Sequence, residues 1–276
     1  MIILSAFADE ISSDLETQIE VLSREELRHM ELRGVWDVGV LSLSNSQVGH
    51  LRKRLKDAGI SVSAIASPVG KTPVDGPFES ELRRLRRAIE VGRALDCESV
   101  RIFSFYPPSA GVEGSPTAYR AEAMRRVRVM IDLATEASVT LLHENDVGLY
   151  GGTISGCGEL MAQFPDPTLA AALDPANYLL AGQRPFPDGY DLVRSRLRSI
   201  HVKDVKAGKI VPAGMGEARF PELLARLRKD GFQGVLALEP HLSSGGTAGG
   251  FSGRENFEIA TRQLKKLLKD AELNWT

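Results

Sequence analysis

The chain has 276 residues, with 34 basic and 36 acidic side chains and a formal net charge of −2 at pH 7. This balance excludes a general electrostatic attraction to nucleic acid or to an anionic membrane. The two cysteines, Cys97 and Cys157, are too few for a disulfide framework or a cysteine zinc site, and we interpret them as reduced structural thiols.

The first ten residues, MIILSAFADE, are apolar but lack the basic start, long apolar run and cleavage site of a signal peptide. The acidic residues Asp9 and Glu10 also come too early for one. The chain has no run of about 18 consecutive apolar residues, so we expect no membrane-spanning helix. We therefore expect a cytoplasmic protein.

Eight short apolar runs alternate with longer amphipathic segments along the chain. Each run has the length of a strand and is apolar enough to be covered on both faces, as parallel strands require. The runs are IILSAF (2–7), HMELRG (29–34), SVSAIAS (61–67), SVRIFSF (99–105), VTLLHE (139–144), LAAALD (169–174), RSIHVK (198–203) and GVLALEP (234–240).

The segments between these runs predict helices. Residues 46–59 carry Val48, Leu51 and Leu55 at helical spacing, and Gly59 is placed to end that helix. Similar patterns cover residues 79–95, 118–137, 220–231 and 254–270, whereas the segments after 153 and 185 are weaker because Gly and Pro interrupt them. The basic faces of these helices indicate solvated surface.

Eight strands, each followed by a plausible helix, predict an α/β fold: a single (β/α)8 TIM barrel that covers residues 1–276 as one domain. An open doubly wound sheet usually has a glycine fingerprint after the first strand, where this chain reads FADEIS. The glycine-rich stretch 243–253 follows the last strand. We predict that it lies over the pocket mouth and orders on ligand binding, the alternative being a flexible connector.

Four consecutive late strands end in residues that can bind a metal: Glu144, Asp174, His201 and Glu239. The carboxyl ends of barrel strands share one face, so these residues are expected to lie close together. Three carboxylates in one pocket repel each other; a divalent cation offsets the repulsion, and an imidazole completes a mixed set of ligands. The alternative is four unrelated polar residues, each satisfied by loop amides or salt bridges.

The motifs HEN, LDPANY, IHVKD, PAGMGE and LEPH resemble those of the sugar phosphate isomerase/epimerase family, the xylose-isomerase-like TIM barrels. The resemblance implies that Glu144, Asp174, His201 and Glu239 bind one divalent ion, with Mn, Mg, Zn, Co and Fe all open. It also implies that Glu144 and Glu239 are the catalytic pair that transfers protons. The implied activity is isomerisation or epimerisation of a small sugar, sugar phosphate or related polyhydroxy carbonyl compound through an enediolate.

One position departs from the pattern of ketose 3-epimerases, which usually carry His three residues after the aspartate of strand six. This chain has Asn177 there, which can donate a hydrogen bond to substrate but cannot carry its proton. A metal-dependent dehydratase of the inosose or keto-acid type therefore stays an alternative, and a non-catalytic carbohydrate-binding barrel is a weaker one. A DNA-repair endonuclease on this barrel needs more histidines on early strands than the chain supplies, so we expect no nucleic-acid partner.

Alternation along strands selects further substrate-binding candidates, because residues two apart share a face. Lys203 shares a face with His201, and its alternative is an ion pair with Asp204 or another nearby acid. His241 likewise shares a face with Glu239.

On the second strand, Glu31 either contacts the substrate or pairs with Arg33, which shares its face. Lys71 follows the third strand and is interpreted by default as a surface residue, the alternative being contact with an anionic group. The direction of Arg101 stays open. The oligomeric state is also open, a homodimer included.

Overall fold

The structure, a computed structural model, describes residues 1–109, 116–243 and 250–276. In these ranges, eight parallel strands form the central sheet. They are β1 (Ile3–Ala6), β2 (His29–Leu32), β3 (Ser61–Ile65), β4 (Ser99–Ile102), β5 (Thr140–Glu144), β6 (Leu169–Leu173), β7 (Leu197–Val202) and β8 (Val235–Leu238). Each strand from β2 to β7 pairs with the next, and β8 pairs with β1. A parallel bridge between Phe7 and Glu31 links the β1 and β2 ends of the sheet, so the predicted barrel is confirmed.

Helices lie between the strands along the described chain, as the amphipathic segments predict. They are α1 (Leu15–Arg24), α2 (Asn45–Ala58), α3 (Phe78–Ala94), α4 (Pro116–Glu136), α5 (Ile154–Gln163), α6 (Pro175–Leu180), α7 (Tyr190–Val193), α8 (Phe220–Lys229) and α9 (Gly253–Asp270). The weak patterns after 153 and 185 correspond to α5 and to the short α7. Within the described ranges, no helix is both long enough and apolar enough to cross a bilayer.

The ends of α2 show how local sequence sets the helix bounds. Ser44 and Gln47 form a reciprocal capping box at its start. Gly59 follows its last residue with a φ of 66°, the left-handed conformation that glycine adopts without strain. The predicted end of this helix at Gly59 is therefore confirmed.

Two small apolar clusters lie apart from the large apolar core. One consists of Ala64, Leu142, Ala170 and Ala172, and the other of Phe7, Ala66 and Ala237. The five alanines among them leave room for long polar side chains from the same strands. Glu31, Arg101 and His201 are accordingly buried.

Two short hairpins extend loops of the barrel and were not predicted from the sequence. Gly34–Val35 pairs with Val38–Gly39 after β2, and Asp204–Lys206 pairs with Lys209–Val211 after β7. In the second hairpin Asp204 accepts backbone hydrogen bonds from residues 205, 214, 216 and 218, which fix the loop. Asp204 is thus a structural residue, not the partner of Lys203.

Candidate metal centre

Four buried side chains with metal-binding atoms meet at the carboxyl ends of neighbouring strands. Glu144 is the last residue of β5, Asp174 directly follows β6, His201 lies in β7 and Glu239 directly follows β8. Each offers one ligand atom, and these atoms all lie within 4.8 Å of one another. The structure brings together the residues selected from the sequence, and their role as ligands stays a prediction.

Asn145 fixes the relative position of two of these residues. Its side-chain carbonyl accepts from the backbone N–H of Asp174 at 2.8 Å, and its side-chain amide donates to the backbone carbonyl of Asp174 at 2.8 Å. The two bonds continue the β5–β6 pairing past the end of β5. They also explain why a buried amide directly follows Glu144 at the strand end.

Asn177 connects Asp174 to Glu144. Its backbone N–H donates to Asp174 Oδ1 at 3.0 Å, so Asp174 caps the start of α6. The side-chain amide of Asn177 donates to Glu144 Oε1 at 3.3 Å and to the carbonyl of Asn145 at 3.1 Å. Asn177, predicted to bind substrate, is thus placed to orient Glu144.

His201 lies fully buried between carboxylates on both sides of its ring. Its Nδ1 atom is 3.4 Å from Glu144 Oε2 and 3.6 Å from Glu239 Oε2, and its Nε2 atom is 3.4 Å from Glu31 Oε2. Burial lowers the pKa of His201, but Glu144 and Glu31 outweigh it and hold the pKa well above its usual value. The ring of Phe7 packs against it edge-on at 5.1 Å.

Glu31 lies beneath His201, on the side away from Glu239. It accepts from Ser199 Oγ at 3.1 Å and faces the Nε2 atom of His201. The alternative of a pair with Arg33 is wrong, because Arg33 is bound by other carboxylates. Glu31 therefore supports the imidazole, and its predicted contact with substrate is not favoured by this position.

The donor set fits a divalent cation. Glu144 Oε2, Asp174 Oδ2 and His201 Nδ1 are buried atoms without a hydrogen bond of normal geometry. Atoms that share an ion at about 2.0–2.3 Å lie roughly 3–4 Å apart, which matches the separations of His201 Nδ1 from Glu144 and Glu239. Oxygen atoms with one nitrogen suit several divalent metals, so the set does not single out one ion.

Lys203 also reaches this cluster. Its ammonium lies 2.7 Å from Asp174 Oδ2 and 3.3 Å from Glu239 Oε2. Burial lowers the pKa of Lys203, but the Asp174 and Glu239 carboxylates outweigh this and raise it. The sequence offered an ion pair of Lys203 with Asp204 or another nearby acid as an alternative to substrate binding. The ion pair is present, and its partners are Asp174 and Glu239 instead of Asp204.

Arg33 holds the opposite side of Glu239. Its guanidinium donates to Asp9 Oδ2 at 2.7 Å, to Glu10 Oε1 at 3.1 Å and to Glu239 Oε1 at 3.0 Å. In the sequence, the sign of this network is the pair of acids Asp9 and Glu10 after β1. Arg33 therefore orients Glu239 from the β2 side of the barrel.

His241 lies beyond the end of β8, with a positive φ of 47°. Its Nε2 atom is 3.0 Å from Glu10 Oε1 and 3.3 Å from Glu239 Oε1. Burial lowers the pKa of His241, but Glu239 and Glu10 outweigh it and raise the pKa to about 9. The proximity to Glu239 expected from the sequence is present, although the strand itself has ended.

Arg101 points into the barrel and contacts Glu144. Its Nη1 atom lies 3.1 Å from Glu144 Oε2, and its other nitrogens donate to the carbonyls of Ala66 and Ser67. The sequence carried a signal for this direction, because the neighbouring Val100 and Ile102 belong to the apolar core between strands and helices.

A cavity of about 850 Å³ opens beside the cluster, on the side of β1 to β4. Arg33 and Arg101 line it, and through their contacts with Glu239 and Glu144 they connect it to the candidate metal centre. Lys71, read from the sequence as surface, also lines this cavity and forms an ion pair with Asp146. The cavity is therefore the natural place for a substrate.

The glycine-rich stretch 243–253 can be followed only at its two ends, since residues 244–249 lie outside the described ranges. Ser243 and Phe251 form an antiparallel bridge, and Gly250 and Phe251 line the cavity. The carbonyl of Gly250 accepts from Arg33 at 3.1 Å. Both described ends thus lie at the pocket mouth, and ordering on ligand binding stays a prediction.

The sequence signature of the family described as "Xylose isomerase-like TIM barrel" matches residues 20–270. No curated protein sequence matches the chain significantly.

Solved structures share the fold at low sequence identity. A D-tagatose 3-epimerase-like protein has a TM-score of 0.78 and 15% identity, covering 98% of both chains. The probable 3-DHS dehydratase AsbF from Bacillus anthracis has a TM-score of 0.74 and 16% identity, covering 96% of this chain and 98% of that one. A xylose isomerase-like TIM barrel protein from Mycobacterium smegmatis, in complex with magnesium, has a TM-score of 0.69 and 18% identity, covering 96% and 97%.

Proposed function

The chain belongs to the xylose isomerase-like TIM barrel family, and on that premise we propose that it is a divalent-metal-dependent isomerase or epimerase of a small hydroxy carbonyl compound. The observation that carries the proposal is the buried group of Glu144, Asp174, His201 and Glu239, whose ligand atoms lie within 4.8 Å of one another. Lys203 and Arg101 offset part of the charge of the three buried carboxylates. Glu144 Oε2, Asp174 Oδ2 and His201 Nδ1 nevertheless lack a hydrogen bond of normal geometry, and a divalent ion would satisfy all three atoms. Such a cluster beside a cavity supports a catalytic role better than a purely structural one.

A divalent ion held by these four residues would supply Lewis-acid polarisation of a carbonyl oxygen. The residues of the chain would then transfer protons at the adjacent carbon, whose C–H bond is acidified by the carbonyl. Glu144 and Glu239 are the candidates, because their Oε2 atoms lie 3.4 and 3.6 Å from the same nitrogen of His201. They reach this point from β5 and β8, so a carbon between them would face one carboxylate on each side.

The second oxygen of each glutamate has a different partner. Glu144 Oε1 accepts from the neutral amide of Asn177 at 3.3 Å, whereas Glu239 Oε1 accepts from the cationic Arg33 at 3.0 Å. Arg101 also lies 3.1 Å from Glu144 Oε2, but Glu239 has a second cationic partner, Lys203, at 3.3 Å from its Oε2 atom. Cationic partners lower the basicity of a carboxylate more than an amide does. We therefore assign removal of the proton to Glu144 and donation of a proton to Glu239.

Dehydration next to a carbonyl is a second candidate function, and Asn177 is the observation that favours it. An amide at this position cannot shuttle a proton to a ketose oxygen. Elimination needs only one carboxylate to remove a proton and a cation to assist the departing hydroxide. The ammonium of Lys203, 2.7 Å from Asp174, is placed to give that assistance.

The test is solvent deuterium incorporation by the chelator-treated chain with and without added Mn²⁺ or Mg²⁺, followed by NMR. Ketoses, ketose phosphates and inososes form the panel. We expect exchange at the carbon next to the carbonyl, lost on chelation and in Asp174→Asn. Loss of water with formation of a double bond would identify the dehydratase instead. Absence of both reactions across the panel, with metal bound, would contradict both functions.

A further inference from the structure

Cations predominate among the charged residues that line the 850 Å³ cavity beside the candidate metal centre. Arg33, Lys71, Arg84 and Arg101 lie on its wall, against Asp9 and Asp37. Acids outside the wall also pair with these cations: Glu10 and Glu239 with Arg33, Asp146 with Lys71, Glu81 with Arg84, and Glu144 with Arg101. From the contacts below, we propose that the substrate carries a carboxylate or phosphate group that binds against Arg101 and Lys71.

Arg101 has hydrogen-bond donors that the described protein does not use. A guanidinium carries five N–H groups, and Arg101 donates from Nη2 to Ala66 at 3.1 Å and from Nε to Ser67 at 3.4 Å. Its Nη1 atom lies 3.1 Å from Glu144 Oε2, yet that oxygen has no hydrogen bond of normal geometry. The side chain is only 6% exposed, so unused donors there need an acceptor from a ligand or water.

Lys71 places a second positive charge near Arg101. The Lys71 ammonium lies 4.8 Å from the centre of the Phe103 ring, and the Arg101 guanidinium lies 5.0 Å from the same centre. The two charges are therefore no more than about 10 Å apart, and both side chains line the same cavity. An anion of one or two charges can reach both, since a phosphate or carboxylate accepts several hydrogen bonds.

The acids already near these cations do not block such a ligand. Asp146 pairs with Lys71; the Lys71 side chain is 41% exposed, whereas that of Asp146 is 14% exposed. The partly exposed ammonium can still contact a ligand in the cavity, because an ion pair open to solvent on one side is weakened by screening. Glu144 faces Arg101, but the inference rests on the proposed function, in which Glu144 binds a divalent ion. The charge of Glu144 is then shared with that ion, and Arg101 keeps a positive charge towards the cavity.

Apolar and polar residues share the rest of the cavity wall. Val35, Val38, Leu41 and Phe251 lie there together with Ser12, Ser13 and Ser42. The serine hydroxyls can donate and accept hydrogen bonds, so the wall also suits hydroxyl groups of a substrate. The preference for an anion therefore rests on Arg101 and Lys71.

Three small probes that share the HOCH2–C(=O)– unit isolate the effect of charge: hydroxypyruvate, dihydroxyacetone phosphate and neutral dihydroxyacetone. Their affinities for the metal-loaded chain are measured by calorimetry, and deuterium exchange at the CH2 group by NMR. We expect at least one anion to bind about tenfold more tightly than dihydroxyacetone, with a smaller ratio at high salt. The better of the two anions identifies the group as carboxylate or phosphate.

Affinities of both anions within threefold of that of dihydroxyacetone, or no binding by any probe, would overturn the inference. The two proposals fail separately in this experiment. Metal-dependent exchange of dihydroxyacetone without a preference for anions keeps the proposed function and rejects the anionic substrate. A preference for anions without metal-dependent exchange in any probe keeps the anion site and contradicts the proposed function.

Lys71→Gln tests the site directly, because this side chain is partly exposed and its loss should not prevent folding. We expect it to weaken the preferred anion about fivefold or more and to leave dihydroxyacetone unchanged. Lys53→Gln is the matched control, since Lys53 is an exposed residue of α2 that does not line the cavity, and we expect no change. Unchanged anion affinity in Lys71→Gln would reject Lys71 as part of the site.

Discussion

The Nε2 atom of His201 lies 3.4 Å from Glu31 Oε2, while the Nδ1 atom of the same ring faces Glu144 and Glu239. When a divalent ion takes the place of the proton on Nδ1, a carboxylate at Nε2 keeps the remaining ring proton there. Nδ1 is then left with a lone pair directed at the candidate metal centre. Glu31 therefore sets both the orientation and the tautomer of the histidine.

We expect Glu31→Gln to weaken divalent metal binding about tenfold or more, because an amide is a poorer acceptor for the Nε2 proton. Calorimetric titration of the chelator-treated protein with Mn²⁺ measures the change. Glu98→Gln, at an exposed position before β4, is the control and should bind the ion as the native chain does. Equal affinities in the Glu31 and Glu98 variants would show that Glu31 does not act on His201.

Binding of a divalent ion should stabilise the folded chain, since the ion offsets the repulsion within the cluster. At about 100 times the dissociation constant, the gain is about 2.7 kcal/mol. The corresponding rise in Tm is roughly 5 °C or more for a chain of this size. Thermal unfolding with Mn²⁺ and with EDTA measures it. Asp174→Asn should lose most of the rise, and an equal rise in this variant would place the ion elsewhere.

Asn145→Ala should destabilise the metal-free protein by about 2–4 kcal/mol, because it removes two buried hydrogen bonds and leaves the backbone of Asp174 unpaired. Urea unfolding of chelator-treated protein measures the free energy of unfolding. Asn45→Ala, at an exposed position, is the comparison and should change it by less than about 1 kcal/mol. A loss no larger in Asn145→Ala than in this control would mean that the bonds contribute little.

Glu122 should make the fold sensitive to acid. The guanidinium groups of Arg125 and Arg126 outweigh partial burial and lower the pKa of Glu122 from 4.5 to about 2. A lowered folded-state pKa gives stability that is present above pH 4.5 and is lost as the pH falls from 4.5 towards 2. Because its side chain is 34% exposed, we expect a contribution below about 1 kcal/mol.

Comparing the free energy of unfolding of Glu122→Gln and the native chain across this pH range measures that contribution. The difference should be present at pH 6 and should shrink below pH 4. A difference that does not depend on pH would assign the effect of the substitution to packing rather than to charge.

The fold was predictable because its signals are local. Each of the eight apolar runs overlaps a barrel strand, and Gly59 ends α2 where expected. The positions of Glu144 and Asp174 followed from the same reasoning, since the carboxyl ends of parallel strands meet on one face.

The partners of buried charges were not predictable in this way. Arg33 binds Asp9 and Glu10, which lie more than 20 residues earlier in the chain, and Glu239, which lies at the other end. Alternation along a strand gives the face of a side chain, but closure of the barrel decides which side chains meet there. For this reason the alternation along the second strand left a pair of Arg33 with Glu31 as one of two alternatives.

Glu144→Gln and Glu239→Gln test the proton-transferring pair. Both should abolish turnover, but this alone would not separate loss of the ion from loss of proton transfer. The decisive measurement is therefore deuterium exchange at the substrate carbon in variants that retain bound metal. Because Glu239 contacts both Arg33 and Lys203, whereas Glu144 contacts one arginine, Arg101, and the neutral Asn177, we expect exchange to fall further in Glu144→Gln than in Glu239→Gln. Loss of one general base typically lowers the rate about 100-fold or more. Exchange and turnover at the native rate in either metal-loaded variant would show that the paired-carboxylate mechanism is wrong.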